Sequence, residues 1–313
     1  MHFLALSLCA ASVHDDRHVL SLPPRLMWGW GPRVSGYCGS ASIQTVALYY
    51  GNWLTQDAVR GVTGGHDGAH QLLLGDEDGC CDSDAVARKL HLNVTAWPHA
   101  SAPRPQHIAF AAWMAESIDS GEPVVFGVYM QTEDNPDLDH IVPLVGYVGP
   151  PGRPSKLLYN DLHSNKTLEA DLASFPADRS ECKRDLPWNE RFAYCLPASV
   201  DYGYRVHGNH DPAGELLPSQ LIVPDWYEPD YSAEDAKHET PRELRAAVLV
   251  SGLTAGERFV LLRYEHASAV PLSDFLRMGG WAARTDFVAP SHAWNVGVTF
   301  MSNTTQFFRC VHA

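Results

Sequence analysis

Apolar residues recur with helical spacing at Ile43, Val46, Ala47 and Tyr50, in a segment that opens at Cys38 and stops at Gly51. A short helix is expected near Thr55–Arg60, ending at Gly61. Ser83 is placed to cap another that runs to about Leu92. Between Pro105 and Ser120 one face collects Ile108, Ala111, Ala112, Ala115 and Ile118, with Gly121 as the stop. The pattern then changes. PVVFGVYM (123–130), HIVPLVGYV (140–148) and KLLYND (156–161) are short, apolar and rich in β-branched residues, which predicts buried strands. Helices first and strands second predict an α+β domain with a mostly antiparallel sheet.

Residues 201–240 are rich in Pro, Asp, Glu, Tyr and His with little periodicity, and read as a linker. Beyond them RAAVLVSGL, RFVLLRYEH, ARTDFVA, NVGVTFMS and TQFFRCVH are turn-separated β runs, the pattern of a small all-β sandwich. The expected units are therefore 24–200, the linker 201–240 and a β domain over 241–313. Two glycine-rich stretches, 24–36 and 64–79, read as loops.

The chain begins with an apolar run of 11 residues, Phe3 to Val13, followed by acidic residues; small residues at Ala10–Ser12 suit cleavage, so residues 1–12 are expected to be a signal peptide. Three Asn-X-Thr triplets, at Asn93, Asn165 and Asn303, point the same way. The expected setting is secreted, extracellular or endolysosomal, where disulfides are permitted.

Length and composition narrow the function. The chain has 313 residues, enough for two domains, with 45% hydrophobic and 19% charged residues, so it folds around a core. Its formal net charge of −14 would be repelled by a phosphate backbone, so nucleic acid is not an expected partner. No stretch approaches the length of a membrane span. The seven cysteines are an odd number. Removing residues 1–12 takes Cys9 and leaves six.

One of those six stands apart. Cys38 follows Ser35-Gly36-Tyr37 and opens a helix, where the helix dipole and free N–H groups would lower its pKa and supply half of an oxyanion hole. Gly39 leaves room for a substrate. A nucleophilic cysteine needs a base, and His140 opens a strand directly after a polar loop. The base needs an acceptor, and Asn160 and Asp161 end the next strand, with the carboxylate preferred. If the two strands are antiparallel neighbours, His140 and Asp161 meet at one sheet edge. With Cys38 reactive, five cysteines remain. At most two disulfides are then expected, one of them Cys182–Cys195, with a further free thiol at Cys80 or Cys81; Cys310 is placed to tie the β domain to a loop. Cys80 and Cys81 are adjacent rather than spaced as in zinc sites, and no metal or cofactor is expected.

GYCGSASIQTVALYYG resembles the cysteine-helix motif of papain-like cysteine peptidases. DHIVPLVGY followed by LLYND resembles the His and Asp strands of the subgroup similar to bacteriocin-leader-processing, double-glycine peptidases. The resemblance covers roughly residues 28–175. It implies a papain-like fold, a Cys38–His140–Asp161 triad with Asn160 as the alternative third member, and a peptide or protein substrate. Arg33, Ser35, Gly36, Tyr37, Gly39 and Asp139 would flank the substrate and the oxyanion. The family's Gln five or six residues before the cysteine is missing: Arg33 and Pro32 stand there. Two other readings use the same residues: acyl transfer of a transglutaminase or phytochelatin-synthase kind, and an inactive binding module. The β domain would be a spacer or would bind substrate or a surface partner.

Overall fold

A computed structural model of the chain describes residues 16–27, 37–62, 83–130, 138–162, 166–172, 202–224 and 241–313. The expected signal peptide, the 64–79 loop and cysteines 80, 81, 182 and 195 lie outside the described residues.

The first part of the chain builds eight strands and four helices, and seven of those strands form one sheet. In order they are β1 (Arg17–Val19), α1 (Cys38–Leu48), β2 (Asn52–Trp53), α2 (Gln56–Val62), α3 (Ser83–Lys89), β3 (Leu92–Ala96), α4 (His107–Asp119), β4 (Val124–Met130), β5 (Leu138–Val148), β6 (Lys156–Asn160), β7 (Thr167–Asp171) and β8 (Gly203–Asn209). The main sheet runs β3-β8-β4-β5-β6-β7, and β1 adds to the far end of β5; every pairing is antiparallel. Where β1 crosses, Gly146 is obligatory, because a Cβ there would strike the His18 carbonyl.

The two faces are covered differently. Helix α4 lays Phe110, Met114, Ala115 and Ile118 on Val124, Phe126, Val128, Val142, Leu144 and Tyr159. Helix α1 covers the other face, with Ala41, Ile43, Val46 and Ala47 in one core with Val125, Ile141 and Tyr204. All 11 residues of α1 are buried, so it is covered all round instead of along one stripe, and its Ser42, Gln44 and Thr45 side chains are hydrogen-bonded. Its outer side is covered by Val260, Leu262, Tyr264 and Phe307 from the C-terminal part.

That C-terminal part is built from β9 (Ser219–Ile222), β10 (Glu243–Ser251), β11 (Arg258–Tyr264), the one-turn helix α5 (Phe275–Met278), β12 (Ala283–Val288), β13 (Ala293–Met301) and β14 (Gln306–His312). Two sheets, β13-β10-β9 and β12-β11-β14-β2, enclose a core of Leu221, Val248, Val250, Phe259, Leu261, Phe300 and Phe308. The mixed helix and antiparallel-sheet architecture accords with the α+β expectation.

Three expectations need correction. Residues 201–240 are not a bare linker: β8 sits between β3 and β4 in the main sheet, and β9 edges the sandwich. Strand β8 alternates Tyr204 and Val206 inward with Arg205 and His207 outward over four residues, too short a run to register as periodic. The two parts are also not separable, because β2, from the start of the chain, completes a sandwich sheet through Trp53↔Gln306 and Asn52↔Phe307. Arg309, itself buried, donates from Nη1 to Asn52 Oδ1 at 2.6 Å across that seam. Finally, Cys310 ties nothing to a loop: it is a free thiol inside the sandwich core.

Candidate functional site

Helix α1 begins at Cys38 with no side chain capping its first turn, so its leading N–H groups are left for other acceptors. Opposite lies β5 at Ile141. In the β4–β5 ladder Gly127 opposes Ile141, and Gly127 sends its N–H the other way, to the O of Tyr202, the residue before β8. The N–H and C=O of Ile141 therefore point toward the β6 side. There the β5–β6 ladder has ended, its last pair being Leu144↔Tyr159. Two side chains of α1, one turn apart, fill the gap. Ser42 Oγ donates to Ile141 O at 3.2 Å, and the Cys38 sulfur accepts from the Ile141 N–H.

The pleat assigns the remaining residues to faces. Opposed residues of an antiparallel pair share a face, and neighbours along a strand alternate. His140 opposes Val128 and so lies on the face of Val142 and Leu144. Continuing the β5–β6 register by two residues sets Asp161 against Val142, on the same face as His140 and diagonally across from it. Asn160 falls on the opposite face. Its amide is fully engaged there, donating to Leu22 O at 2.7 Å and accepting from Thr167 Oγ1 at 3.0 Å. Of the two, only Asp161 shares a face with His140 on that register. His140 and Asp161 thus lie on the α4 face of the sheet, whereas Cys38 comes from the helix that covers the other face and reaches β5 at its edge, one residue along from His140.

The electrostatics of Cys38 correct one expectation. Burial raises the pKa of the thiol, and this outweighs the N–H groups of Ile141, Gly39 and Cys38 itself, and the Arg60 guanidinium, all of which favour the thiolate. A helix N-terminus alone does not deliver a resting thiolate here. The proton must be removed by a base.

Around the cysteine, Tyr37 donates its hydroxyl to Asp57 Oδ1 at 2.8 Å, and Arg60 stacks over its ring at 4.3 Å from the centroid. Burial and the Asp57 hydrogen bond push the Tyr37 hydroxyl up to about 12. Gln44 supplies no substitute for the family's Gln. Its Nε2 donates to Leu54 O at 2.8 Å and its Oε1 accepts from Gln56 at 3.1 Å, so it braces α1 against α2. Gly39 is in the first turn of α1, and Asp139 opposes Tyr129 in the β4–β5 ladder. Arg33, Ser35 and Gly36 lie outside the described residues.

Ser42 and Arg60 were not anticipated. Ser42 had a usable signal, since residues four apart share a helix face with Cys38. Arg60 had none, because only the α1–α2 packing brings it close. Among the described residues no group of three or more His, Cys, Asp or Glu side chains converges as metal ligands, and no helix is long and apolar enough to cross a membrane. No protein-family model matches the chain, and no curated protein matches it.

Proposed function

We propose that the chain is a secreted cysteine peptidase of papain-like fold. The observation that carries the proposal is the seating of Cys38, at the head of α1, on the strand residue next to His140, with Asp161 on the His140 face. In the reaction His140 takes the thiol proton as the sulfur attacks the scissile carbonyl. The carbon–nitrogen bond then breaks, and His140 returns the proton to the leaving amine. Water hydrolyses the acyl-enzyme. Asp161 holds the imidazole and stabilises its charged form, and the Cys38 N–H faces the developing oxyanion. Because the resting thiol is protonated, His140 works as a true general base in the first step.

The inactive-module reading has two observations in its favour, the missing Gln before Cys38 and the burial of Cys38 at 3% exposure. Labelling by a peptidyl thiol-reactive probe at mildly acidic pH separates the two readings. At that pH simple ionisation leaves the thiol protonated, so labelling that depends on His140 reports base assistance. Labelling of Cys38 lost in His140→Ala supports the peptidase. No labelling, or labelling indifferent to His140, refutes it.

A further inference from the structure

Sheet edges expose unpaired backbone groups, and proteins blunt them with charge, proline, bulges or very short strands. Among the described residues most edges carry such devices, the three-residue β1 with its Arg17 among them. Strand β7 has Glu169 and Asp171, and β12 has the exposed Arg284–Asp286 pair at 2.7 Å. Strand β9 is four residues long, with Pro218 before it and Pro224 shortly after. Strand β2 is two residues, both buried.

The other two edges are different. Strand β13, AWNVGVTFM, is nine residues long and has no charge and no proline of its own; Arg263 of β11 donates to its Thr299 carbonyl from the facing sheet at 3.4 Å. Strand β3, LNVTA, is likewise uncharged, relieved only by a register shift between Asn93 and Val94. Each carries an Asn-X-Thr triplet. Asn93 lies within β3, and Asn303 lies two residues beyond Met301 at the end of β13; both side chains are exposed. Met301, beside the second triplet, is itself 40% exposed.

We propose that Asn93 and Asn303 are N-glycosylated and that their glycans guard the two sheet edges that carry no charged residue of their own against edge-to-edge association. The proposal rests on the secretory part of the function above. In the transfer, the asparagine amide nitrogen displaces the diphosphate of a lipid-linked oligosaccharide at its anomeric carbon. A carbon–nitrogen bond forms, a carbon–oxygen bond breaks, and the amide gives up one proton. Transfer precedes folding, so a site must be exposed in the folded chain for the glycan to be housed, and both sites meet that condition. The bulge in β3 gives it partial protection of its own. The glycan at Asn303, at the end of the longer and regular edge, therefore has the larger effect.

The test is expression of the full chain in a eukaryotic secretory host behind a foreign signal peptide. Peptide mapping after N-glycosidase should find aspartate at positions 93 and 303. Asn303→Gln and Thr305→Ala should each remove one glycan and raise the associated fraction severalfold in sedimentation velocity. Asn93→Gln should raise it less, and the Asn93→Gln/Asn303→Gln double variant most. Probe labelling of Cys38 in the monomer should stay unchanged throughout. Exported protein with neither asparagine converted overturns the sites. Glycosylated wild type and a bare double variant of equal monodispersity overturn the guarding role. Filled sites behind the foreign leader, with no export behind residues 1–12, would refute secretion while supporting the sites.

Discussion

Cys38 and Cys310 are both buried and unbridged, and burial raises the pKa of both thiols. What opposes burial differs. Cys310 sits mid-strand in β14, opposite Leu261, in a wholly apolar core, and nothing counters the desolvation; its pKa is pushed up to about 12. Cys38 sits where a helix starts and a ladder stops, so three backbone N–H groups and a guanidinium act on its sulfur. Lack of exposure makes the two look alike. The dipoles aimed at the atom separate a packing residue from a candidate nucleophile.

Removing each sulfur is the hardest test of that contrast. Cys38→Ala should abolish peptide hydrolysis, a fall on the order of 10⁴-fold or more in kcat/KM, with little change in Tm. Cys310→Ala should leave kcat/KM within about twofold while costing roughly 1–2 kcal/mol of stability, the typical penalty for a small cavity in a packed core. A Cys38→Ala enzyme that still turns over would dissolve the distinction.

The same contrast holds one residue apart at the end of β6. Asp161→Asn should lower kcat by roughly 10²–10⁴, since an amide stabilises the imidazolium poorly, and should scarcely move the melting temperature. Asn160→Ala should do the reverse. It leaves the Leu22 carbonyl and Thr167 hydroxyl without their partner and should cost about 1–3 kcal/mol. Paired kinetic and thermal measurements on both variants check the assignment, and a larger kinetic loss in Asn160→Ala would reverse it.

These elements were unequally legible from sequence. The α1 and α4 helices, β4 to β6 and the five C-terminal β runs follow from local periodicity and glycine stops, and their boundaries shift by only a few residues. Strand β8 was not legible, because Gly203 and Gly208 bracket it and its partners β3 and β4 lie far away in sequence. Nor was β2, whose two residues become a strand only because β14 arrives to pair with them. Within the site, the order of cysteine, histidine and carboxylate was readable. The preference for Asp161 over Asn160 was readable from carboxylate chemistry, but the face on which each lies was not, because it rests on strand register. The protonated state of Cys38 was not readable either, because desolvation depends on what packs over the helix start.

Burial of the two thiols also predicts a pH dependence. Each has a folded pKa above its unfolded value of about 8.5. The folded state therefore holds its protons longer, and its advantage is complete below about pH 8.5 and shrinks as pH rises beyond it. Each thiol costs up to about 1.4 kcal/mol per pH unit in that window. Denaturation between pH 8.5 and 10, before tyrosines ionise, should show falling stability in the wild type and a shallower fall in Cys310→Ala. Equal slopes would mean that Cys310 titrates alike in the folded and unfolded states.

The smallest effect concerns the charge beside Cys38. Arg60 stacks on the Tyr37 ring and favours the thiolate, against the larger cost of burial. Removing the charge should push the Cys38 pKa further up, so less thiolate is present at any pH below it. With a small neutral alkylating agent, the wild-type rate at Cys38 should climb about tenfold per pH unit through neutrality, as expected for a minor thiolate fraction. Arg60→Gln should run parallel to it and severalfold slower, and Arg60→Lys should recover most of the rate, because charge is what acts on the sulfur. Cys310, on which Arg60 does not act, should alkylate at an unchanged rate in all three proteins. If Lys and Gln slow Cys38 equally, Arg60 works through its stacking on Tyr37, as part of the packing that seats the start of α1.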